Sequence, residues 1–127
     1  MTAGLLEDLA AMLTAAGVVG GATGWTLRFG VMPDTPDQVV ALFRTGGGLA
    51  DHVRRPGVQI RVRGTTHSVT ESKAEDVIGT LHGRAQVAGT GRTLIDVAME
   101  GDMIWLGFDE AGRPEMTVNL TAISEES

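Results

Sequence analysis

The stretch RRPGVQIRVRG, residues 54–64, concentrates the strongest polar chemistry in this chain. It holds Arg54, Arg55, Arg61 and Arg63, four of the ten basic residues, in a protein whose formal net charge is −6. A guanidinium carries a rigid fork of donors that matches a carboxylate or a phosphate two bonds at a time. Such a cluster could neutralise nucleic-acid phosphates, hold a small anion, or pair with protein carboxylates. The first option sits badly with the remaining charge. Residues 51–64 carry +3, from four Arg and one Asp, which leaves −9 for the rest, and the chain has a single Lys. General nucleic-acid binding needs a broad basic footprint. The third option predicts that the basic ribbon docks on an acidic flank of another copy. Head-to-tail contacts of this kind close into rings when the rotation per copy fits. Charge then sets register more than it adds affinity.

The other reactive residue types form no constellation. His52, His67 and His82 are dispersed and lack the i, i+4 spacing of a helical metal motif. Asp109, Glu110 and Glu115 flank a turn and are assigned to that turn and its strand edges, not to acid–base catalysis. Ser68 has no nucleophile-elbow context and is read as a helix cap. The glycine-rich GVVGGATG, residues 17–24, follows a helix and lacks the Lys-Ser/Thr ending of a phosphate loop. There is no cysteine, which removes disulfides, thiolate metal sites and thiol nucleophiles together. No catalytic, metal or cofactor-binding residue is predicted, and the chain is read as a non-enzyme.

The elements that must position the arginines follow from periodicity. Leu5, Leu6, Leu9, Met12, Leu13 and Ala16 give an apolar helical stripe over residues 4–16. Residues 27–32 and 38–45 read as strands around the turn MPDTPD. TGGG at 45–48 is expected to break the second strand, with residues 49–56 an exposed loop. Val58, Ile60 and Val62 alternate with Gln59, Arg61 and Arg63, the signature of a half-buried strand. A second helix is placed at 68–82, with Ala74, Val77, Ile78 and Leu81 inward. Strands at 93–100, 103–108 and 115–123 follow, and residues 123–127 are expected to fray. The order α-β-β-β-α-β-β-β defines an α+β fold, a mostly antiparallel or mixed sheet with two helices packed on one face. At 127 residues, one domain spanning 1–127 is predicted. No apolar run is long enough to cross a bilayer. The first basic residue, Arg28, stands too late to flank a secretory signal.

Four blocks also resemble a known family. MPDTPDQVVALFRTGG (32–47), RPGVQIRVRG (55–64), AEDVIGTLHG (74–83) and DEAGRPEMTVNL (109–120) are similar, in order and spacing, to the bacteriophage minor capsid proteins. Those proteins resemble the tail terminators of long-tailed phages. The resemblance leaves out the first helix and residues 84–108. It implies a structural virion protein: a ring, usually hexameric, that caps the tail tube and stops its polymerisation. The ring presents the head–tail joining surface, and DNA passes through its lumen. Implied partners are further copies of the chain, the tail tube protein and a head-completion or connector protein. Assembly would take place in the host bacterial cytoplasm.

On that reading Arg54, Arg55, Arg61 and Arg63 are subunit-interface candidates, pointing to subunit contacts or outer surfaces, and the lumen is net acidic so that DNA slides without sticking. The glycine-rich stretches 17–26, 45–57 and 83–92 are expected to be long loops. Gly46, Gly47, Gly48, Arg84, Gln86 and Arg92 are candidates for contact with the tube or connector. Two alternatives stand beside this one. The chain could be another neck protein, a head-completion or connector-adaptor subunit. Or it could be a small anion-binding regulatory α+β domain, in which the helix N-terminus near Ser68 and the arginine strand frame the ligand.

Overall fold

The computed structural model describes residues 5–50, 53–82, 87–89 and 92–126, with side chains over 6–45, 57–82 and 97–122. Two helices, α1 (Leu5–Ala15) and α2 (His67–Leu81), accompany seven strands. These are β1 (Thr26–Phe29), β2 (Val39–Ala50), β3 (Val53–Arg63), β4 (Val87–Gly89), β5 (Arg92–Met99), β6 (Ile104–Phe108) and β7 (Pro114–Glu126). Six of them run in the order β1-β2-β3-β7-β5-β4, and β6 pairs with the start of β7. All pairings are antiparallel except β1 with β2. The α+β fold with two helices and a mixed sheet is therefore the one that the hydrophobic pattern predicts.

The alternation in β3 decides which face meets the helices. Val58, Ile60 and Val62 lie opposite Leu120, Val118 and Met116 of β7, and Val62 and Ile60 opposite Val40 and Leu42 of β2. This layer packs with Leu9 and Leu13 of α1 and Ala74, Val77 and Leu81 of α2 in one core. Ile60, Leu42, Leu13 and Leu81 are fully buried. Each such side chain contributes about 2 kcal/mol through its removal from water.

The chain departs from the sequence-based expectations at its glycines and termini. TGGG does not end β2. The strand continues to Ala50, and Gly46, Gly47 and Gly48 pair with Gly57, Pro56 and Arg55 of β3, after an irregularity between Arg44 and Gly46. Residues 45–50 and 53–57 thus pair as antiparallel strands and are not a long loop; residues 51–52 lie outside the described residues. Gly weakens a strand but does not forbid one when a long neighbouring strand, here β3, supplies ladder bonds. The stretch 83–92 contains the short strand β4, paired with β5. Residues 123–126, expected to fray, complete β7 and pair with β5.

The cap of α2 is Thr66 and not Ser68. The Thr66 backbone is extended, and its hydroxyl accepts from the Val69 amide at 3.2 Å. Both residues have the right chemistry for a cap. Tertiary packing selects the earlier one, because the Thr70 hydroxyl reaches the carbonyls of Thr66 and Pro114.

Candidate functional site

The helix-free face of the sheet carries Arg61 and Arg63. Pairing places Arg61 beside Ala41 and Thr117, and Arg63 beside Val39 and Glu115. Arg28 on β1 joins the same face opposite Ala41. Beneath them lies a groove of about 520 Å³, lined by three arginines (Arg61, Arg63, Arg113) and four carboxylates (Asp34, Asp109, Glu110, Glu115).

Arg63 does not point to an outer surface. It is only 2 % exposed. Its Nε donates to the Asp37 carbonyl at 3.0 Å, and Nη2 donates to the carbonyls of Pro36 and Asp34. The expectation that Arg63 meets a neighbouring subunit is therefore corrected. Its donors hold its own chain, the crossover 30–38 that returns from β1 to the parallel strand β2. Burial, and then the nearby Arg113, press its pKa below the ordinary arginine value.

Arg113 completes the clamp from the surface. Its Nη1 donates to the Asp34 carbonyl and to Asp37 Oδ1 (3.2 Å), Nη2 to Asp34 Oδ1 (3.2 Å), and Nε to Asp109 Oδ2 (2.9 Å). Desolvation opposes the charge, yet the bonds to Asp109, Asp37 and Asp34 raise its pKa. Asp109 also organises the β6–β7 turn. Its Oδ1 accepts the amides of Ala111 (3.0 Å) and Arg113 (2.8 Å), while Gly112, at φ +80°, donates back to the Asp109 carbonyl. A left-handed residue is needed there, so glycine fits. Asp109 therefore has the turn role its position predicts.

The backbone amide of Arg113, and then its side chain, hold the Asp109 carboxyl below the usual carboxylate range, against some desolvation. The linkage sign follows. A group with a depressed folded pKa adds stability above its unfolded value and loses it as pH falls through the folded value. The Asp109 contribution is complete above about pH 4 and disappears below it. Asp109→Asn is expected to lower the melting temperature at pH 7 and to flatten its fall in more acidic solution; thermal melts of both proteins from pH 7 to pH 2 measure the difference.

Arg61 is half-buried. Its Nε donates to Gln59 Oε1 at 3.2 Å, and its guanidinium stands 5.6 Å from the Phe43 ring centroid. Arg54 and Arg55 lie in β3 opposite Leu49 and Gly48; their side chains are outside the described residues. Arg92 opens β5 opposite Gly89 and Glu126. Arg84 and Gln86 lie outside the described residues, as does His52.

Because β3 is bonded on both sides, by β2 and β7, none of its arginines occupies a sheet edge over the paired stretch. Nor do Arg61 and the start of α2 frame a common anion site. The helix packs on the Val62 face while Arg61 points to the other, so the sheet separates them. Among the described residues, no three His, Asp or Glu side chains are grouped to hold a metal, and no helix is long and apolar enough to cross a membrane.

Two features escaped the sequence. One is the Arg113 clamp, whose i, i+4 spacing to Asp109 across a turn was the available signal. The other is β6, where Ile104, Trp105, Leu106 and Phe108 are all large, apolar and exposed. Trp105 contacts His67 (ring centroids 4.9 Å apart) and Phe108 (5.3 Å).

The chain is thus an α+β fold whose groove arginines are bound within the chain and whose β1 and β6 edges expose apolar groups. A chain in the solved virion of a native gene transfer agent particle shares it, with a TM-score of 0.63 at 16 % identity, over 95 % of this chain and 94 % of that one. No curated protein sequence matches the chain. Residues 8–126 match the bacteriophage tail terminator proteins, and the chain belongs to that family: it is a structural protein of a phage tail.

Proposed function

We propose that this protein is the terminator itself: a ring, hexameric in the simplest case, seated on the last ring of the tail tube. It stops tube polymerisation and presents the surface that a head-completion or connector protein joins. DNA passes through its centre without sequence-specific binding. Assembly takes place in the host bacterial cytoplasm, before incorporation into the virion. The observation that carries this reading is the family match, which spans residues 8–126 and so includes most of α1, all of α2 and every strand. The chemistry supports it. A net charge of −6 disfavours retention of a polyanion, and the groove's arginines are engaged by neighbours on their own chain.

Arg54, Arg55 and Arg61 are proposed to meet neighbouring subunits. The Gly46–Gly48 arm, Arg84, Gln86 and Arg92 are proposed to meet the tube or the connector. A phage lacking this gene tests the function by electron microscopy. Overlong tubes without heads are expected. Tails of normal length lying free beside filled heads would instead identify a joining factor elsewhere in the neck.

A further inference from the structure

The sheet ends in two open edges with unlike character, and we propose that they are the two halves of the seam between copies of this chain; the inference rests on the ring reading above. At the level of Val39–Leu42 the strand order is β1-β2-β3-β7-β6, and among the described residues neither β1 nor β6 has a partner on its outer side. Both edges expose large apolar groups. Phe29 is 46 % exposed and Val31 51 % at one end; Trp105 is 42 % exposed and Phe108 67 % at the other. An apolar edge left bare invites pairing with another chain, and folded proteins ordinarily guard it.

Charge selects which edge meets which. Arg28, on exposed β1, is the only charged residue between Asp8 and Asp34. Around β6 the sign is reversed: Glu100, Asp102 and Glu110 fall between Arg92 and Arg113 with no basic residue among them, while Asp109 is already paired with Arg113. An antiparallel β6–β6 contact would bring the Asp102 end of each strand to the Glu110 end of the other, acid on acid. A β1–β1 contact would bring the two Arg28 side chains together. The unlike pairing, β6 of one copy with β1 of the next, sets Arg28 between the acidic ends and avoids both repulsions.

Strand direction agrees. β1 runs with β2, β3 runs against β2, β7 against β3, and β6 against β7. Hence β1 and β6 point in opposite directions. A neighbour related by rotation about an axis parallel to the strands would pair antiparallel, with well-aligned ladder bonds. The contact is heterologous, so it propagates and can close. Trp105 and Phe29 both project on the helix-bearing side, as their partners Met116 and Leu42 do, so the apolar groups of the two edges meet on one face.

The test uses the natural lack of cysteine. Phe29→Cys and Leu106→Cys are made singly and together, and each protein is treated with a short bismaleimide under conditions in which native mass spectrometry finds the ring. The double variant is expected to give a ladder of linked multimers. An equimolar mixture of the two single variants is expected to give a dimer band and nothing larger, and each single variant alone to stay unlinked. A linked dimer from either single variant alone, or linkage to tube subunits in place of another copy, would overturn the seam. An intact ring with no linkage in the double variant would overturn the seam and leave the ring reading standing. A native mass of one subunit, even with assembled tubes added, would remove both.

Discussion

Replacing Arg63 with alanine is expected to destabilise the protein by about 3 kcal/mol, the range for losing charge-assisted hydrogen bonds and uncovering buried acceptors. The melting temperature would fall by roughly 10 °C. The guanidinium serves the carbonyls of Asp34, Pro36 and Asp37 from a position that solvent barely reaches. Removing it leaves those acceptors over the fully buried Val39, which is directly opposite Arg63 in β2. The loss is limited because Arg113 still holds Asp34 and Asp37, and their side chains face water. Arg63→Met separates packing from polarity. It keeps the apolar stem, so it is expected to recover only a minor part of the loss. Chemical denaturation of the three proteins measures this. A stability within error of the original for Arg63→Ala would mean that the crossover needs no clamp, and Arg63 would again be available for another role.

The second large effect is expected at Gly64. This residue joins β3 to α2, and its amide donates to the Pro114 carbonyl at 3.2 Å. A methyl group built there would stand 2.5 Å from Thr70 Oγ1, 3.2 Å from the Thr70 nitrogen and 3.3 Å from its Cα. Thr70 is fully buried and bonded to the Thr66 carbonyl, so the hydroxyl has no room to turn away. Gly64→Ala must then shift the first turn of α2 against the sheet, which is expected to cost about 2 kcal/mol, the range for overpacking a close contact. Adding Thr70→Ala removes the nearest atom but not the two backbone contacts. The double variant is therefore expected to regain part of the loss and no more. Thermal denaturation of the single and double variants, with Thr70→Ala as the third corner of the cycle, isolates the coupling.

These two positions also show how far the sequence could be read. The alternation from Val58 to Arg63 placed Val58, Ile60 and Val62 in the core, and their pairing with β2 and β7 bears it out. The same alternation put Arg61 and Arg63 on the opposite face, which is also correct. It could not say that residues 34–37 fold back over one of the two. Arg61 and Arg63 differ by one repeat of the strand, yet one is half-buried and the other covered. That difference arises from a contact between residues 26 to 29 positions apart in sequence, and no local pattern encodes it.

The glycines illustrate the converse. TGGG is a strong local signal for a break, and propensity alone would end the strand. Pairing along β3 supplies the ladder bonds that override it. The β6 edge was read as an ordinary strand because its residue types suit a sheet; whether such a strand is central or exposed depends on what lies beside it.

By itself the amino-acid order determined the type of most elements, the inward face of both helices, β3 and β7, the α+β class, the turn at Asp109–Gly112 and the resemblance to phage tail proteins. These depend on the side-chain period, on backbone preferences of single residues and on short blocks, all properties local in sequence. The tertiary structure alone decided that β3 is interior, that Arg63 is bound to its own chain, that β2 continues through its glycines, and that β1 and β6 are edge strands. Each of those is a relation between distant segments, fixed by strand order and by which groups lose contact with water when the layers meet.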